Sequence, residues 1–457
     1  MGISGGMRKS LVFGAGLACL VSGQTLADTL EDALVAAYNS NPDLRAERAN
    51  LRSIDENVAQ AISGWRPTLS VDGSIGKTTR RSAPSFGAPT QDLEPFSGAA
   101  TVTQPVFTGF QTLNSFRQSQ AQVRAGRANL ISVEQQTLLS AVSAYMDVWR
   151  DTAVVSLGQN NVAVLRKQLE ASQDRFSVGE ITRTDVAQSE ARLSGAISSL
   201  ITSESQLTNS RATYARVVGN SPGTLQPPPP LPPLPATQDE ALAVARDNNP
   251  ELQRARHSER ASAFAVAVAR GGLLPQISVQ GQLAHAEDTS ITGSQSDEKS
   301  VTGQLSWQFY QGGRAQSQIR QARQLKRQSQ ALIVSAERQV VEGVATAWSS
   351  LTSARATINS DREQVRANEI AYEGVQREAE VGSRTTLDVL DAEQELLDAR
   401  VALVSSQRNE VIAGYQVLAS VGQLTAERLE LPVDAYDPLR NYRAVKWRPF
   451  GTWIRKE

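Results

Sequence analysis

The alternation of apolar and polar residues predicts four β-strands, two in each half of the chain. Ile277, Val279 and Leu283 alternate with polar residues, and the first half shows the same pattern from Leu69 onward. This alternation is typical of a strand with one apolar and one polar face. The predicted strands cover about 67–76, 97–107, 275–284 and 299–309. Each has about ten residues, the length of a transmembrane β-strand, and the polar segments between them are predicted loops.

Long helical periodicity follows each predicted hairpin. Leu138, Val142, Tyr145 and Trp149 recur at the spacing of a coiled-coil seam. Helices are predicted over about 109–178, 182–218, 312–381 and 385–421. At 1.5 Å per residue, each of the two long helices spans about 105 Å. A short helix and the restarted helix after Pro42, stacked end to end, nearly match one long helix in length.

The chain contains the same unit twice. Asn41-Pro42-Asp43-Leu44 returns as Asn249-Pro250-Glu251-Leu252, and the pair Val178-Gly179 returns as Val381-Gly382. These matches divide the chain into repeat 1 (28–221), a proline-rich linker (222–238), repeat 2 (239–431) and a C-terminal tail (432–457). The linker is predicted to be an extended spacer, and the tail could either wrap the helices or lack order. We predict an α+β fold of two tandem structural repeats, each a transmembrane hairpin plus long coiled-coil helices.

The first 27 residues have the pattern of a secretory signal peptide. Arg8 and Lys9 precede an apolar run that ends at Val21, and small residues lead up to Ala27. Such a segment directs export of the chain, and cleavage before Asp28 would release the mature protein. The only cysteine, Cys19, lies inside this segment in a poor lipoprotein context. The mature chain is therefore expected to carry neither a cysteine nor a lipid.

Composition excludes several functions. Lys plus Arg is 46 and Asp plus Glu is 47, so the sequence has no electrostatic footprint for nucleic acid. One cysteine and two histidines argue against a zinc or histidine metal centre. No nucleophile–base pair or phosphate loop is present, so we expect no cofactor and no enzyme activity. A periplasmic coiled-coil scaffold without a pore stays an alternative.

Four strands are too few to close a barrel, for which about eight is the practical minimum. An open sheet edge in lipid leaves backbone groups without hydrogen bonds, at a cost of several kcal/mol each. The strands must therefore be completed by further copies of the chain. Two copies would supply eight strands, and three would supply twelve and leave a lumen.

From about Thr29 to about Leu431 the chain resembles the TolC-type outer-membrane efflux and secretion proteins. The resemblance is carried by the paired Asn-Pro openings, the Gln104–Gly109 strand-to-helix junction and two tip motifs, Arg175–Val186 and Val381–Ala392. It implies a homotrimer whose twelve-strand barrel continues into a periplasmic helical barrel. It also implies a passive exit duct in the outer membrane of a Gram-negative bacterium, of the non-lipidated branch. The tip would dock on a periplasmic adaptor that links it to an inner-membrane transporter, for drug efflux or protein secretion.

Helix capping alone explains the glycines, threonines and first aspartates of the two tip motifs. A functional role is compatible with capping, because Asp388 and Asp391 share a helix face and a three-fold axis would gather six carboxylates into one ring. The predicted entrance gate comprises Asp185, Arg384, Asp388 and Asp391. The predicted adaptor-docking tip comprises Val178, Gly179, Thr182, Arg183, Val381, Gly382, Ser383 and Thr385. Ala379 stands where the best-known family pattern has a tyrosine in this network.

Aromatic residues cluster where strand meets helix. They are Phe107, Phe110, Trp307, Phe309 and Tyr310. Such a cluster is typical of an interfacial belt in contact with outer-membrane lipid. Packing at the strand-to-helix junction is the alternative.

Overall fold

The computed structural model describes residues 28–80 and 91–454. The predicted signal peptide, with Cys19, lies outside these residues. Repeat 1 contains α1 (Leu30–Ser40), α2 (Pro42–Ser63), β1 (Thr68–Ile75), β2 (Thr78–Arg80), β3 (Gln91–Leu93), β4 (Phe96–Phe107), α3 (Gln111–Ser177) and α4 (Arg183–Val218). Repeat 2 contains α5 (Gln238–Asn248), α6 (Pro250–Gly271), β5 (Gln276–Glu287), β6 (Gln295–Ser306), α7 (Arg314–Glu380) and α8 (Thr386–Ser420), and α9 (Arg440–Val445) follows.

Four strands form one antiparallel sheet in the order β1-β4-β5-β6. Thr68 pairs with Thr103 at one end of the β1–β4 ladder, and Ile75 pairs with Phe96 at the other. β1 and β6 are the outer strands of this sheet. Apolar side chains on one face are exposed in the single chain, among them Leu69, Val71 and Val301. The apolar residues of the alternating pattern therefore do not pack into a core of this chain.

Three strand predictions need correction. β5 continues to Glu287, and β6 begins at Gln295, because residues 284–287 pair with 295–298. A short turn over 288–294 closes that hairpin, in place of the longer predicted loop. β6 ends at Ser306, so Trp307, Phe309 and Tyr310 lie in the connection to α7 and not in a strand. The predicted loop between the first two strands contains the small β2–β3 ladder.

The helices form a layer in which each long helix lies beside stacked short ones. α3 packs against α2, α4, α6 and α8, and α7 packs against α6 and α8, while α4 also contacts α8 near the tip. The 22 residues of α2 and the 36 of α4 together nearly match the 67 of α3. The layer therefore has two outer edges, one formed by α2 and α4 and the other by α7.

An asparagine joins the short helices end to end in each repeat. The Asn41 side chain accepts hydrogen bonds from the first N–H groups of α2, at Asp43 and Leu44, and Pro42 occupies the first helical turn. Its amide group also donates to Val217 O at the end of α4, over 3.2 Å. Asn249 repeats this arrangement, capping α6 and donating to Ser420 O at the end of α8, over 3.0 Å. One side chain thus satisfies backbone groups of two helix ends.

The largest apolar core lies where α1, α3, α4 and α8 meet, and the proline-rich linker packs onto it. The linker is free of helix before Gln238, as predicted, but it is not merely a spacer, because Leu225, Leu231 and Leu234 cover the core. Leu231 lies so close to Gly414 of α8 that a Cβ there would approach its Cδ2 to 2.6 Å. The linker therefore holds the two repeats together.

The C-terminal tail is ordered against the outside of α2. Asn441 of α9 donates to Asp55 on α2 over 2.9 Å, and Tyr442 packs against the small core formed by Val58, Ile62 and Val123. Of the two alternatives for the tail, the structure gives the packed one. None of the helices within residues 28–80 and 91–454 is both long enough and apolar enough to cross a membrane.

We predict that Tyr145→Phe destabilises the protein. The fully buried Tyr145 hydroxyl lies 2.8 Å from Gln226 O in the linker and 3.0 Å from Asp28 O, and it donates to this pair. Its removal leaves two carbonyls without that donor, at a cost of about 1 kcal/mol. Thermal unfolding, followed by circular dichroism in detergent, should shift to lower temperature.

Tyr214→Phe is the matched control, since this equally buried tyrosine has no hydrogen-bond partner for its hydroxyl among the described residues. Equal effects of the two substitutions would contradict the role of the Tyr145 hydroxyl.

Candidate functional site at the helical tip

Each long helix ends in a glycine turn at the tip. Val178 is the C-cap residue of α3, and Gly179 after it takes φ +81°. Val381 is the C-cap residue of α7, and Gly382 after it takes φ +80°. In both turns the glycine N–H and the next N–H donate to carbonyls of the last helical turn, the pattern of a Schellman motif. Both glycines face open space, so conformation and not crowding selects glycine. The side chains of Val178 and Val381 are 70% and 81% exposed.

A threonine and an aspartate start the returning helix in each repeat. The Thr182 N–H and hydroxyl both donate to Asp185 over 2.8 Å, and the Asp185 N–H donates back to the Thr182 hydroxyl. Thr385 and Asp388 repeat this capping box at the start of α8. Both aspartates are therefore engaged by their own helix N-termini, as the capping interpretation predicted.

The capping boxes set the charge state of these aspartates. Hydrogen bonds from the N–H and hydroxyl of Thr385 hold the pKa of Asp388 below its ordinary value, and Arg384 contributes less. Hydrogen bonds from Thr182 lower the pKa of Asp185 in the same way. Within one chain both carboxylates are therefore charged at neutral pH. Crowding in a ring of chains would act in the opposite direction.

The remaining predicted gate residues form ion pairs within the chain. Arg384 Nε donates to Glu378 across its own turn over 2.9 Å. Asp391 accepts from Arg192, which links α8 to α4. Arg192 and Asp391 thus join α4 to α8 near the tip. Asp185 and Arg384 contact residues close to them in the sequence. Arg192 was missed in the sequence, because its spacing from Thr182 matches no capping or metal pattern.

A buried glutamate on α8 is the second feature that the sequence did not reveal. Glu393 interrupts a seam that includes Leu390, Leu396 and Ala399, and it lies near Tyr372 on α7. Burial raises the pKa of its carboxyl to about 7. Its counterpart in the first repeat, Glu190, is exposed. Because the repeat alignment pairs these two residues, sequence gave no sign that they differ.

The predicted aromatic residues lie at the helix end of the sheet, and most are exposed. Phe107 and Phe110 contact edge to face with ring centroids 5.2 Å apart, as do Trp307 and Phe309 at 6.1 Å. Trp307 also donates to Leu273 O over 3.1 Å. Phe309 and Tyr310 are 76% and 75% exposed, which leaves most of their surface without a partner in the single chain.

Comparison with known proteins identifies the family. The family described as "Outer membrane efflux protein" matches residues 33–220 and 241–423, one match for each repeat. The outer membrane efflux protein BepC of Brucella suis biovar 1 is 36% identical over 436 residues, which covers 94% of both chains. The chain belongs to the outer membrane efflux protein family. Its place in the outer membrane follows from this membership and agrees with the resemblance found in the sequence.

More distant relatives agree with this assignment. The outer membrane protein TolC of Escherichia coli K12 is 25% identical over 449 residues, covering 93% of this chain and 88% of TolC. The CmeC outer membrane channel of Campylobacter jejuni has the same fold, with a TM-score of 0.80 and 14% identity over 91% of this chain and 89% of CmeC. This efflux-family chain is thus built on the TolC-like fold that was predicted, and a scaffold without a pore is not the family's function.

We predict that Glu393 makes the tip less stable as pH rises. In an unfolded chain a glutamate loses its proton near 4.5, whereas Glu393 in the folded chain keeps its proton up to about 7. The free energy of local unfolding should therefore fall between these values and level off above them. Hydrogen-exchange protection factors for residues 386–400, compared at pH 5 and pH 8, measure this effect.

In Glu393→Gln this pH dependence should disappear, because the amide does not titrate. Glu395→Gln, an exposed neighbour on the same helix, should keep it. Equal pH dependence in wild type and Glu393→Gln would refute the assignment.

Proposed function

We propose that three copies of this efflux-family chain form a passive exit duct across the outer membrane and periplasm. The observation that carries the proposal is that both layers of the single chain end in open edges. The sheet has β1 and β6 as outer strands. The helical layer has α2 and α4 at one edge and α7 at the other. A closed ring of identical copies would pair each edge with its complement.

Exposed apolar residues at the helical edges support this closure. Leu325, Leu332 and Ile370 on α7 are exposed, and so are Ile197 and Ile201 on α4. Apolar side chains in such number on two opposite edges mark surfaces that another chain covers. A ring in which α7 of one copy packs on α4 of the next would bury both sets. Three copies would also give twelve strands, enough for a water-filled barrel.

A cavity between four helices would line the path of aqueous cargo. A cavity of about 590 Å³ lies between α2, α3, α6 and α7. Side-chain amides dominate its polar lining, including Asn50, Asn57, Gln118, Gln122 and Asn129. Amides hydrogen-bond to water without attracting either sign of charge, so this wall would let many solutes pass. Cargo choice would then rest with the inner-membrane transporter, in either drug efflux or protein secretion.

The tip would form the gated entrance. Asp388 and Asp391, three residues apart on α8, would contribute to a ring of carboxylates at the three-fold axis. The Arg192–Asp391 pair would hold α8 against α4 in the closed state. Both side chains of this pair are about half exposed, and such pairs contribute at most about 1 kcal/mol. A weak tie in each of three copies fits an entrance that must open when a partner binds.

The exposed turns would receive the periplasmic adaptor. Val178 and Val381 lie at the two glycine turns, where their apolar side chains are mostly exposed. Gly179 and Gly382 keep these turns free of bulk, and Thr182, Arg183, Ser383 and Thr385 border them. The adaptor would bridge the duct to an inner-membrane transporter. The exposed aromatic residues at the other end would lie at the lipid interface, and the duct would need no cofactor and catalyse no reaction.

The assembly is tested by the native mass of protein extracted from outer membranes in mild detergent. We expect a particle of three chains, in which β1 of each copy pairs with β6 of the next. Native mass spectrometry after removal of the detergent gives the number directly. A soluble monomer in the periplasmic fraction would refute the duct.

The gate is tested by Asp388→Ala combined with Asp391→Ala in planar bilayers. Loss of the carboxylate ring and of the tie to Arg192 should raise single-channel conductance and lower cation selectivity. Asp398→Ala, an exposed aspartate further along α8, is the matched control and should leave both unchanged. Wild-type conductance in the double alanine variant would count against the gate.

A further inference from the structure

The end of the C-terminal tail lies where the chain passes from helix to strand. Arg66, two residues before β1, donates to Trp447 O over 3.1 Å and to Arg448 O over 3.2 Å. Trp65 beside it contacts Phe116 at the start of α3, with ring centroids 5.7 Å apart. α9 runs along the upper part of α2 toward this point. The tail thus ends at the same level as the exposed aromatic residues that follow β4 and β6.

Large apolar side chains at the end of the tail are mostly exposed. Trp447, Phe450, Trp453 and Ile454 are 64%, 88%, 70% and 85% exposed. Four such residues within eight positions form a patch of a kind that soluble surfaces rarely leave open. Tryptophan in particular favours the boundary between water and lipid, because its ring is apolar and its N–H is polar.

The same segment is strongly basic. Residues 440–454 carry four Arg or Lys and no Asp or Glu, and the nearby Asp437 forms an exposed ion pair with Arg443 over 3.9 Å. Lys446 lies among aromatic rings, within 5.5 Å of the Phe116 centroid and 5.2 Å of the Trp447 centroid. Arg440 and Arg443 are exposed on α9. The segment therefore combines positive charge with exposed aromatic rings, while the whole protein is almost neutral.

Arg448 gives the end of the tail a defined shape. Its guanidinium stacks on Trp453 at 4.1 Å from the ring centroid. It also donates to Phe450 O over 3.1 Å and to Trp453 O over 3.0 Å. Gly451, at φ +102°, permits the tight turn that these bonds close. The last residues of the tail therefore form a turn of their own, in which Trp453 stays mostly exposed.

We propose that residues 440–454, here called the anchor segment, bind the periplasmic surface of the outer membrane at its anionic phospholipids. The proposal rests on the placement of the strands in that membrane. Trp447, Phe450, Trp453 and Ile454 enter the interface between headgroups and acyl chains, and the arginines of α9 contact lipid phosphates. Lipid fits better than a carboxylate-bearing polymer of the cell wall, because a polymer of that kind would leave the apolar side chains in water. Basic segments of this type gain about 1 kcal/mol per Lys or Arg at an anionic surface, about fivefold in binding per charge.

The test uses single-cysteine variants of the full chain in a Cys19→Ser background. Ile454→Cys is labelled with an environment-sensitive dye, and the protein is reconstituted into vesicles of phosphatidylcholine with or without phosphatidylglycerol. Lipids carrying a nitroxide on the upper acyl chain quench dyes at the interface. We expect strong quenching at position 454, and stronger quenching when phosphatidylglycerol is present.

Position 434 gives the matched control. Asp434 is exposed on the same tail, close to the contact between Tyr436 and Tyr38 at the far end of α2. The 22 residues of α2 span about 33 Å, which separates this contact from Trp447 and Arg448 beside Arg66 at the other end of the helix. A dye on Asp434→Cys should not be quenched in either vesicle.

Charge variants and aromatic variants separate the electrostatic contribution to lipid binding from the apolar contribution. Arg440→Gln with Arg443→Gln should lower the bound-to-free ratio of the anchor segment by roughly tenfold or more, and only with phosphatidylglycerol. Arg362→Gln with Arg366→Gln on α7 should have no effect. Trp447→Ala with Phe450→Ala should lower quenching in both vesicles.

Equal quenching at positions 454 and 434 would overturn the proposal. A dye at 454 that responds to isolated peptidoglycan but not to lipid would overturn it too, and would name the cell wall as the partner. Native mass and single-channel conductance of the same samples show whether the duct itself is intact. A normal three-chain channel without quenching defeats the anchor alone, whereas loss of the channel defeats the proposed function.

Discussion

The end-to-end junction of the short helices is the constraint on which the structure depends. A helix of 67 residues can be covered along its length only if shorter helices line up without a gap. Asn41 and Asn249 make this possible, since each caps one helix with its oxygen and reaches the end of the next with its amide group. Without the junction, buried N–H and C=O groups at two helix ends would lose their partners. The smooth helical layer, and hence the alignment of the tip with the sheet, follows from this contact.

Much of this fold could be predicted from sequence because its signals are local and occur twice. Alternating residues indicated the strands, and the paired motifs Thr182–Asp185 and Thr385–Asp388 indicated the capped turns. Predictions were wrong where pairing between strands decided the outcome. The strands reach Glu287 and start from Gln295, because the partner strand supplies hydrogen bonds to polar residues that would otherwise favour a loop. The linker prediction missed Leu231, whose contact with Gly414 depends on tertiary packing alone.

The part of the site that was predicted from sequence is the part with local signals. Capping residues are recognised by spacing, so the roles of Thr385 and Asp388 in the turn were foreseeable. The contact of Arg192 with Asp391 joins residues 199 positions apart, and no spacing rule points to it. Glu393 and Glu190 occupy equivalent positions in the two repeats, yet one is buried and the other exposed. The duplicated halves have therefore diverged in packing while keeping their motifs, and at this position only the second half buries its glutamate.

The open edges of the sheet have a consequence for inheritance and engineering. If β1 of each copy completes the sheet of its neighbour, a subunit with an altered β1 or β6 spoils a junction that it shares with an intact copy, and the whole ring fails to close. When intact and defective subunits are made in equal amounts and mix at random, only about one ring in eight is free of the defect. Mutations at these outer strands should therefore be dominant over the normal gene, whereas mutations that prevent the chain from folding at all should be recessive. Such a pattern would distinguish edge residues from core residues without any structure of the variants.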